Sequence, residues 1–202
     1  MPFMKTPKNK IKEDTPDSDL IRLVAQGVEP ALNEVMRRYK HKLFAFISRY
    51  VKDEDAAYDI VQETFIRVHF KADSFNPSYK FSTWLYQIAI NLCRDWGRKQ
   101  KLRQVFSLDA PIGDDEGGSY HDILPDPSSN VEDLTDLRQN LATVDAEIQK
   151  LPHKLKTALI LFAIEEHSQE KCAEILGVTI KTVEARVYRA RKILAEKVAK
   201  NF

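Results

Sequence analysis

No proline occurs between residues 31 and 76 or between residues 153 and 202, and the whole 202-residue chain holds only six glycines. Strand-rich folds need a turn every few residues, and turns draw heavily on Gly and Pro. Long stretches without either leave the helix as the regular structure that fits. Within those stretches apolar residues recur at steps of three and four, as one face of a helix requires. The expected fold class is therefore all-α. Hydrophobic residues make up 43% of the chain and charged residues 30%, a balance that suits a packed protein. The longest apolar run, Ala158 to Ile164, is far too short to span a bilayer, so no membrane insertion is expected.

The pattern divides the chain into two small helical domains joined by a flexible acidic linker. Residues 1–15 read as a flexible N-terminal tail. Residues 16–103 form a first helical domain, with Asp17 or Ser18 as the cap of its first helix and Pro30 in the first turn of its second. A third helix begins near Asp53–Asp55, and a fourth runs from Ser82 to about Lys101 after a loop containing Asn76-Pro77. Residues 104–135 break the periodicity; Asp109 to Asp136 carry nine acids and no Lys or Arg. Residues 136–202 form a second helical domain, in which the helix from His153 to Glu166 turns Leu155, Leu159, Phe162 and Ala163 inward. Cys93 and Cys172 have no partner motif and the five histidines no ligand spacing, so no disulfide, metal or cofactor is expected. A reducing cytoplasm fits this use of cysteine, and the N-terminus lacks the apolar core of a signal peptide.

The segment Ser168 to Leu194 has the spacing of a helix-turn-helix. Ser168 and Thr179 are placed to cap its two helices, Ala173 is small where they approach, and Gly177 stands at the turn. Ile180, Val183, Val187, Ala190 and Leu194 share one buried face. Lys181, Ala185, Tyr188, Arg189 and Lys192 fall opposite, with Glu184, Arg186 and Arg191 on the flanks. Eight Lys/Arg against four Glu give His167 to Phe202 a formal charge of +4. A basic helix after such a turn is built for the DNA major groove, where phosphates attract it and base edges are read.

The first domain carries two further features. Asp59, Gln62 and Glu63 stand together on one helix face at i, i+3 and i+4. No histidine partner, ligand set or pocket-forming glycine accompanies the two acids, so the residues alone leave a solvated face or a protein-docking surface. Between Phe75 and Lys99, the rings of Phe75, Tyr79, Phe81, Trp84, Tyr86 and Trp96 alternate with Lys80, Arg94, Arg98 and Lys99. Rings that stack on bases and cations that track phosphates are the ingredients of single-strand binding. Helical spacing assigns some of these rings, Trp84 among them, to the core. The loop rings Phe75 and Tyr79 and the basic end at Arg94–Lys99 are the stronger binding candidates.

At DIVQETF (59–65), KFSTWLYQIAINLCRDWGRK (80–99) and ILGVTIKTVEARVYRARKIL (175–194) the chain resembles bacterial sigma factors of the sigma-70 family, and its two-domain layout resembles their extracytoplasmic-function (ECF) branch. The resemblance implies that the first domain corresponds to region 2. Asp59, Gln62 and Glu63 would then dock on the β′ clamp helices of core RNA polymerase. Phe75, Asn76, Tyr79, Lys80, Trp84, Asn91, Arg94, Arg98 and Lys99 would bind the −10 element as a single strand with a flipped base. It implies that the second domain corresponds to region 4. Thr179, Lys181, Thr182, Glu184, Ala185, Arg186, Tyr188 and Arg189 would read duplex DNA at −35, with the domain's first helices on the β flap. An anti-sigma factor and a bacterial cytoplasmic location are further implications. No catalytic constellation or P-loop appears, so an enzyme is not expected. Glu184 stands where many relatives carry a basic residue; it could accept from a cytosine amino group but repels phosphate. Two alternatives remain at this level. One is a helix-turn-helix regulator that works without polymerase, and the other is a sigma-mimicking protein that sequesters an anti-sigma factor.

Overall fold

The computed structural model describes residues 11–107 and 131–199, and no strand occurs among them. Most of the expected tail and most of the expected linker lie outside the described residues. Four helices build the first domain: α1 (Asp17–Ala25), α2 (Glu29–Val51), α3 (Glu54–Lys71) and α4 (Phe81–Ser107), with a single 3₁₀ turn at Ala72–Ser74 after α3. The second contains α5 (Val131–Lys150), α6 (His153–Leu159), α7 (Gln169–Leu176) and α8 (Ile180–Val198). Helix thus extends into both ends of the 104–135 segment. Leu20, Val35, Leu43, Phe46, Ile47, Val68 and Leu85 form the fully buried centre of the first domain, and Ile160, Leu161, Cys172, Val183 and Ala190 that of the second.

Local chemistry sets the helix ends. Pro30 occupies the first turn of α2, and the Asp53 carboxylate accepts from the Ala56 amide at 2.8 Å to cap α3. Neither Asp17 nor Ser18 caps α1, whose N-cap is Pro16 with no side-chain hydrogen bond. Asp17 is engaged elsewhere: it accepts from Arg38 Nη1 at 2.8 Å and from the Tyr39 hydroxyl. Arg38 also holds the Thr15 and Glu13 carbonyls at 2.8 and 2.7 Å, which ties the last residues of the expected tail to α2. After Leu159 the helix widens into a π-helical stretch, Ile160–Ile164. An i→i+5 turn shifts the phase of every residue beyond it. Ala163 is consequently exposed rather than inward, while Ile160 and Leu161 are buried.

The helix-turn-helix forms as its spacing predicts. Ser168 Oγ accepts from the Lys171 amide and Thr179 Oγ1 from the Thr182 amide, each at 3.2 Å. Gly177 sits at φ 61°, closing α7 in the left-handed region. Val183, Val187 and Ala190 are buried, but Ile180 is 39% exposed because the first residue of α8 projects past the core. A Cβ at Gly177 would meet nothing within 4 Å, so its substitution carries only the backbone penalty. Gly177→Ala is expected to destabilise the domain by about 1–2 kcal/mol, read as a lowered thermal midpoint.

Ion pairs, hydrogen bonds and ring contacts join the two domains, whose buried apolar residues form one continuous cluster. Arg49 pairs with Glu165, and Lys52 Nζ reaches Asp145 at 2.5 Å. The Tyr50 hydroxyl and His153 Nδ1 are hydrogen-bonded to each other. The Lys156 ammonium lies 4.4 Å above the Tyr50 ring and donates to Gln149 Oε1 at 2.6 Å. Gln149 Nε2 in turn donates to the Arg49 carbonyl at 3.1 Å. Burial lowers the Lys156 amine to about 8, with Lys101 acting in the same direction and Cys93 opposing it. Burial, then Arg94, Lys156, Arg186 and Lys154, lowers His153 to about 4. Both groups bind fewer protons folded than unfolded, so stability rises with pH across each window. It should therefore increase from about pH 4 to 6.5, where His153 loses its proton, and again from about 8 to 10.5, where Lys156 loses its own. Urea titrations across these ranges check the sign. Lys156→Met should remove the alkaline increment.

Candidate nucleic-acid interface

The loop after α3 and the start of α4 enclose a concavity of about 700 Å³ lined by Ser74, Phe75, Asn76, Ser78, Tyr79, Lys80, Thr83, Trp84 and Gln87. Its geometry follows from an aromatic cluster. Buried Phe81 packs edge-on against Tyr39 at 5.3 Å and against Phe75 at 5.9 Å, and Phe75 meets Trp84 at 5.4 Å. Phe75 is thus a half-buried wall ring, not the free loop ring expected from its position. Trp84 is likewise half-buried, and Tyr79 is 67% exposed at the rim. Asn76 Oδ1 accepts from the Ser78 amide at 2.9 Å, an Asx turn that fixes the loop.

The remaining candidates of this group lie further along α4. Trp84, Gln87, Asn91, Arg94 and Arg98 follow one another at steps of three and four, so they form one stripe down a helix face. Asn91, Arg94, Arg98 and Lys99 are exposed and stand outside the concavity. Arg94 and Arg98 line a second cleft with Lys101, Lys150, His153 and Lys156, where α4 faces the second domain. Lys99 lies instead in the α3–α4 groove beside Asp59, Glu63 and Arg103. Gln87, Thr83 and Ser78 were not singled out by the sequence. For Gln87 the signal was present, since it is the missing step between Trp84 and Asn91.

On α8, Lys181, Glu184, Ala185, Tyr188 and Arg189 form an exposed stripe, and Tyr188 is 70% exposed. Arg186 is half-buried on the flank, and Thr182 pairs its hydroxyl with that of Thr179 at 2.9 Å. On α3, Asp59 and Gln62 are exposed and Glu63 half-exposed, held by Arg67 at 2.7 Å. The same face continues to Ile66, 49% exposed, and Phe70, 78% exposed. The α8 set occupies a face of its own, whereas Arg98 and Lys99 share the α3–α4 groove with Asp59 and Glu63.

Residues 35–103 match the family Sigma-70 region 2, and residues 141–194 match Sigma-70, region 4. The chain is 34% identical over 178 residues to the ECF RNA polymerase sigma factor SigW of Bacillus subtilis (strain 168), covering 88% of this chain and 94% of that protein. It is 33% identical over 192 residues to the ECF RNA polymerase sigma-E factor of Escherichia coli (strain K12), covering 93% and 97%. The chain belongs to the ECF sigma factors of the sigma-70 family.

Solved structures agree with this fold. The sigma factor RpoE of Bartonella quintana, in complex with the anti-sigma factor NepR, superposes with a TM-score of 0.57 at 25% identity over 83% of this chain and 96% of that one. CnrH, in complex with the cytosolic domain of CnrY, superposes at 0.62 over 92% and 99%; its 24% identity speaks for the fold alone. As a sigma factor the chain binds core RNA polymerase and promoter DNA in transcription initiation, and a helix-turn-helix regulator independent of polymerase is set aside. No helix among the described residues is long and apolar enough to cross a membrane. Cys172 is buried, and burial pushes its thiol up to about 11, so the thiolate needed for redox chemistry is scarce at neutral pH.

Proposed function

We propose that residues 16–103 act as region 2 and residues 136–202 as region 4, with a tail at 1–15 and a linker at 104–135. Asp59, Gln62 and Glu63 form the docking face for the polymerase clamp helices. Tyr79 and Trp84 hold an unstacked base of the −10 strand in the concavity described above, with Phe75 as its wall and Asn76 and Lys80 at its edge. Asn91, Arg94, Arg98 and Lys99 carry the flanking phosphates. Thr179, Lys181, Thr182, Glu184, Ala185, Arg186, Tyr188 and Arg189 face the −35 duplex. The observation that carries this reading is the concavity itself, which joins an exposed ring and a half-buried indole to a stripe ending in cations.

Capture of an extruded base offsets a few kcal/mol of unstacking, so melting is favoured where the sequence fits the pocket. The chain acts by binding and positioning in the bacterial cytoplasm, and bond-making belongs to the polymerase. An anti-sigma factor restrains it, a reading supported by the complex of RpoE with the anti-sigma factor NepR.

The test is run-off transcription with purified chain, core polymerase and a library of promoter fragments. Transcripts that require the chain and share a −10 and a −35 sequence support the assignment. Initiation unaffected by Tyr79→Ala and Trp84→Ala would remove the concavity from it.

A further inference from the structure

The cleft where α4 faces the second domain has a volume of about 700 Å³. Arg94, Arg98 and Lys101 line it from α4, Lys150 from α5 and Lys156 from α6, and no Asp or Glu is among its lining residues. Steps of four and three bring the α4 cations to one helix face. The acids that pair with some of these cations lie outside the lining. Asp95 stands 3.5 Å from Arg98 and 3.9 Å from Arg94, and Glu147 holds Lys150 at 2.7 Å. Lys156 is only 6% exposed, and its ammonium meets the Tyr50 ring and the Gln149 amide oxygen rather than a carboxylate.

Cations gathered around one cleft repel one another, and the repulsion registers in the protonation of two groups that line it. After burial, Arg94, Lys156, Arg186 and Lys154 all lower His153. After burial, Lys101 lowers Lys156, against Cys93. An anion seated in the cleft would offset this repulsion, and concave walls of one sign concentrate the field on it. The walls are not only charged. Trp96 is half-buried and Leu102 is exposed, so a flat apolar group has surface to lie against. Ligand pockets commonly run from about 300 to 1,000 Å³, so a molecule of nucleotide size fits.

We propose that this cleft binds a small anion carrying a chain of phosphates, held by cations of both domains. Guanidinium forks take phosphate oxygens in pairs, and ammonium groups act on them as point charges. A nucleoside di- or triphosphate and inorganic polyphosphate share this chemistry, and Trp96 and Leu102 favour the nucleotide. The inference goes beyond DNA recognition. Arg94 and Arg98 are also assigned to the −10 strand, but Lys101, Lys150 and Lys156 have no part in that assignment. Its test therefore uses those lysines, and its outcome does not depend on whether Tyr79 and Trp84 hold a base.

The experiment is calorimetric titration of the full-length chain, without polymerase, with ATP and separately with inorganic tripolyphosphate. Binding should saturate at one molecule per chain. Lys101→Ala removes an exposed cation of the first domain, and Lys150→Gln removes one of the second while keeping a donor for Glu147. Each should weaken binding about tenfold, the effect of one lost charge-assisted hydrogen bond. Lys40→Ala, an exposed cation of α2 outside the cleft, should leave it unchanged. Tighter binding of ATP than of tripolyphosphate makes the nucleotide the occupant, and equal binding makes it the phosphate chain alone; both support the site. Binding that never saturates, or that Lys40→Ala weakens as much as the other two, is diffuse attraction to a basic surface and overturns the proposal. A single-stranded thymidine oligomer is titrated in parallel. If Lys150→Gln weakens the oligomer while neither phosphate probe binds, the cleft is a stretch of DNA track and the proposal falls.

Discussion

Replacing Gln62 and Glu63 together with alanine should abolish run-off transcription while leaving the −35 duplex bound as in wild type. Both side chains stand on the outward face of α3 between exposed Asp59 and exposed Ile66. Neither supports the core, which α3 reaches through Ala57, Ile60, Val61, Thr64, Phe65 and Val68. The fold should therefore survive. Glu63 is paired with Arg67, so its removal also frees a cation on the proposed docking face. Residues at the centre of a protein interface can each cost about 2 kcal/mol or more on truncation, and two such losses weaken binding by roughly three orders of magnitude. Capture of core polymerase on immobilised chain measures this directly. Wild-type capture by the double variant would show that α3 docks through another face.

The second large effect concerns stability. Phe46 is fully buried, with Tyr50 at 6.3 Å and Tyr86 at 5.5 Å between ring centroids. Phe46→Ala should cost about 3–5 kcal/mol, the usual range for emptying a phenyl-sized site. For a chain of this length that lowers the melting midpoint by roughly 10 °C. The loss is not confined to one domain. Tyr50 bonds His153 and Tyr86 meets the His167 ring at 5.5 Å, so Phe46 stands behind two contacts between the domains. Calorimetry should show the first domain's transition lowered, with amide exchange accelerated near His153 and His167. A midpoint within a degree or two of wild type would mean that the site collapses around the missing ring.

The parts of the fold that were legible in the sequence are those governed by local rules. Ser168, Gly177 and Thr179 stand at their expected caps because capping is decided within three or four residues. The buried face of α8 follows from its period at Val183, Val187 and Ala190; Leu194 is half-buried, and Ile180, where the helix begins, is exposed. What could not be read is what depends on distant partners. Asp17 has the chemistry of a cap but serves Arg38 and Tyr39, over twenty positions away. The π-helical turn that displaces Ala163 has no local signature. Lys156, which periodicity would leave in solvent, is buried because a tyrosine from the other domain passes beneath it. Among the candidate residues, composition identified the rings. It could not say that Phe75 faces Phe81 and Trp84 while Tyr79 faces solvent, because that depends on how the 72–80 loop folds back.

Helix α4 behaves as a measuring rod. Trp84 and Arg98 lie on one continuous helix, and at the standard rise per residue their separation along its axis is about 21 Å. Nothing between them can stretch, since every residue is fixed by its own backbone bonds. Under the proposed assignment, a strand whose base is held at the tryptophan end presents its phosphates to the arginines at a set distance. Base changes between the two anchors alter side-chain contacts only. Inserting or deleting a nucleotide there puts the two anchors out of step, so strand length between them is held more strictly than sequence.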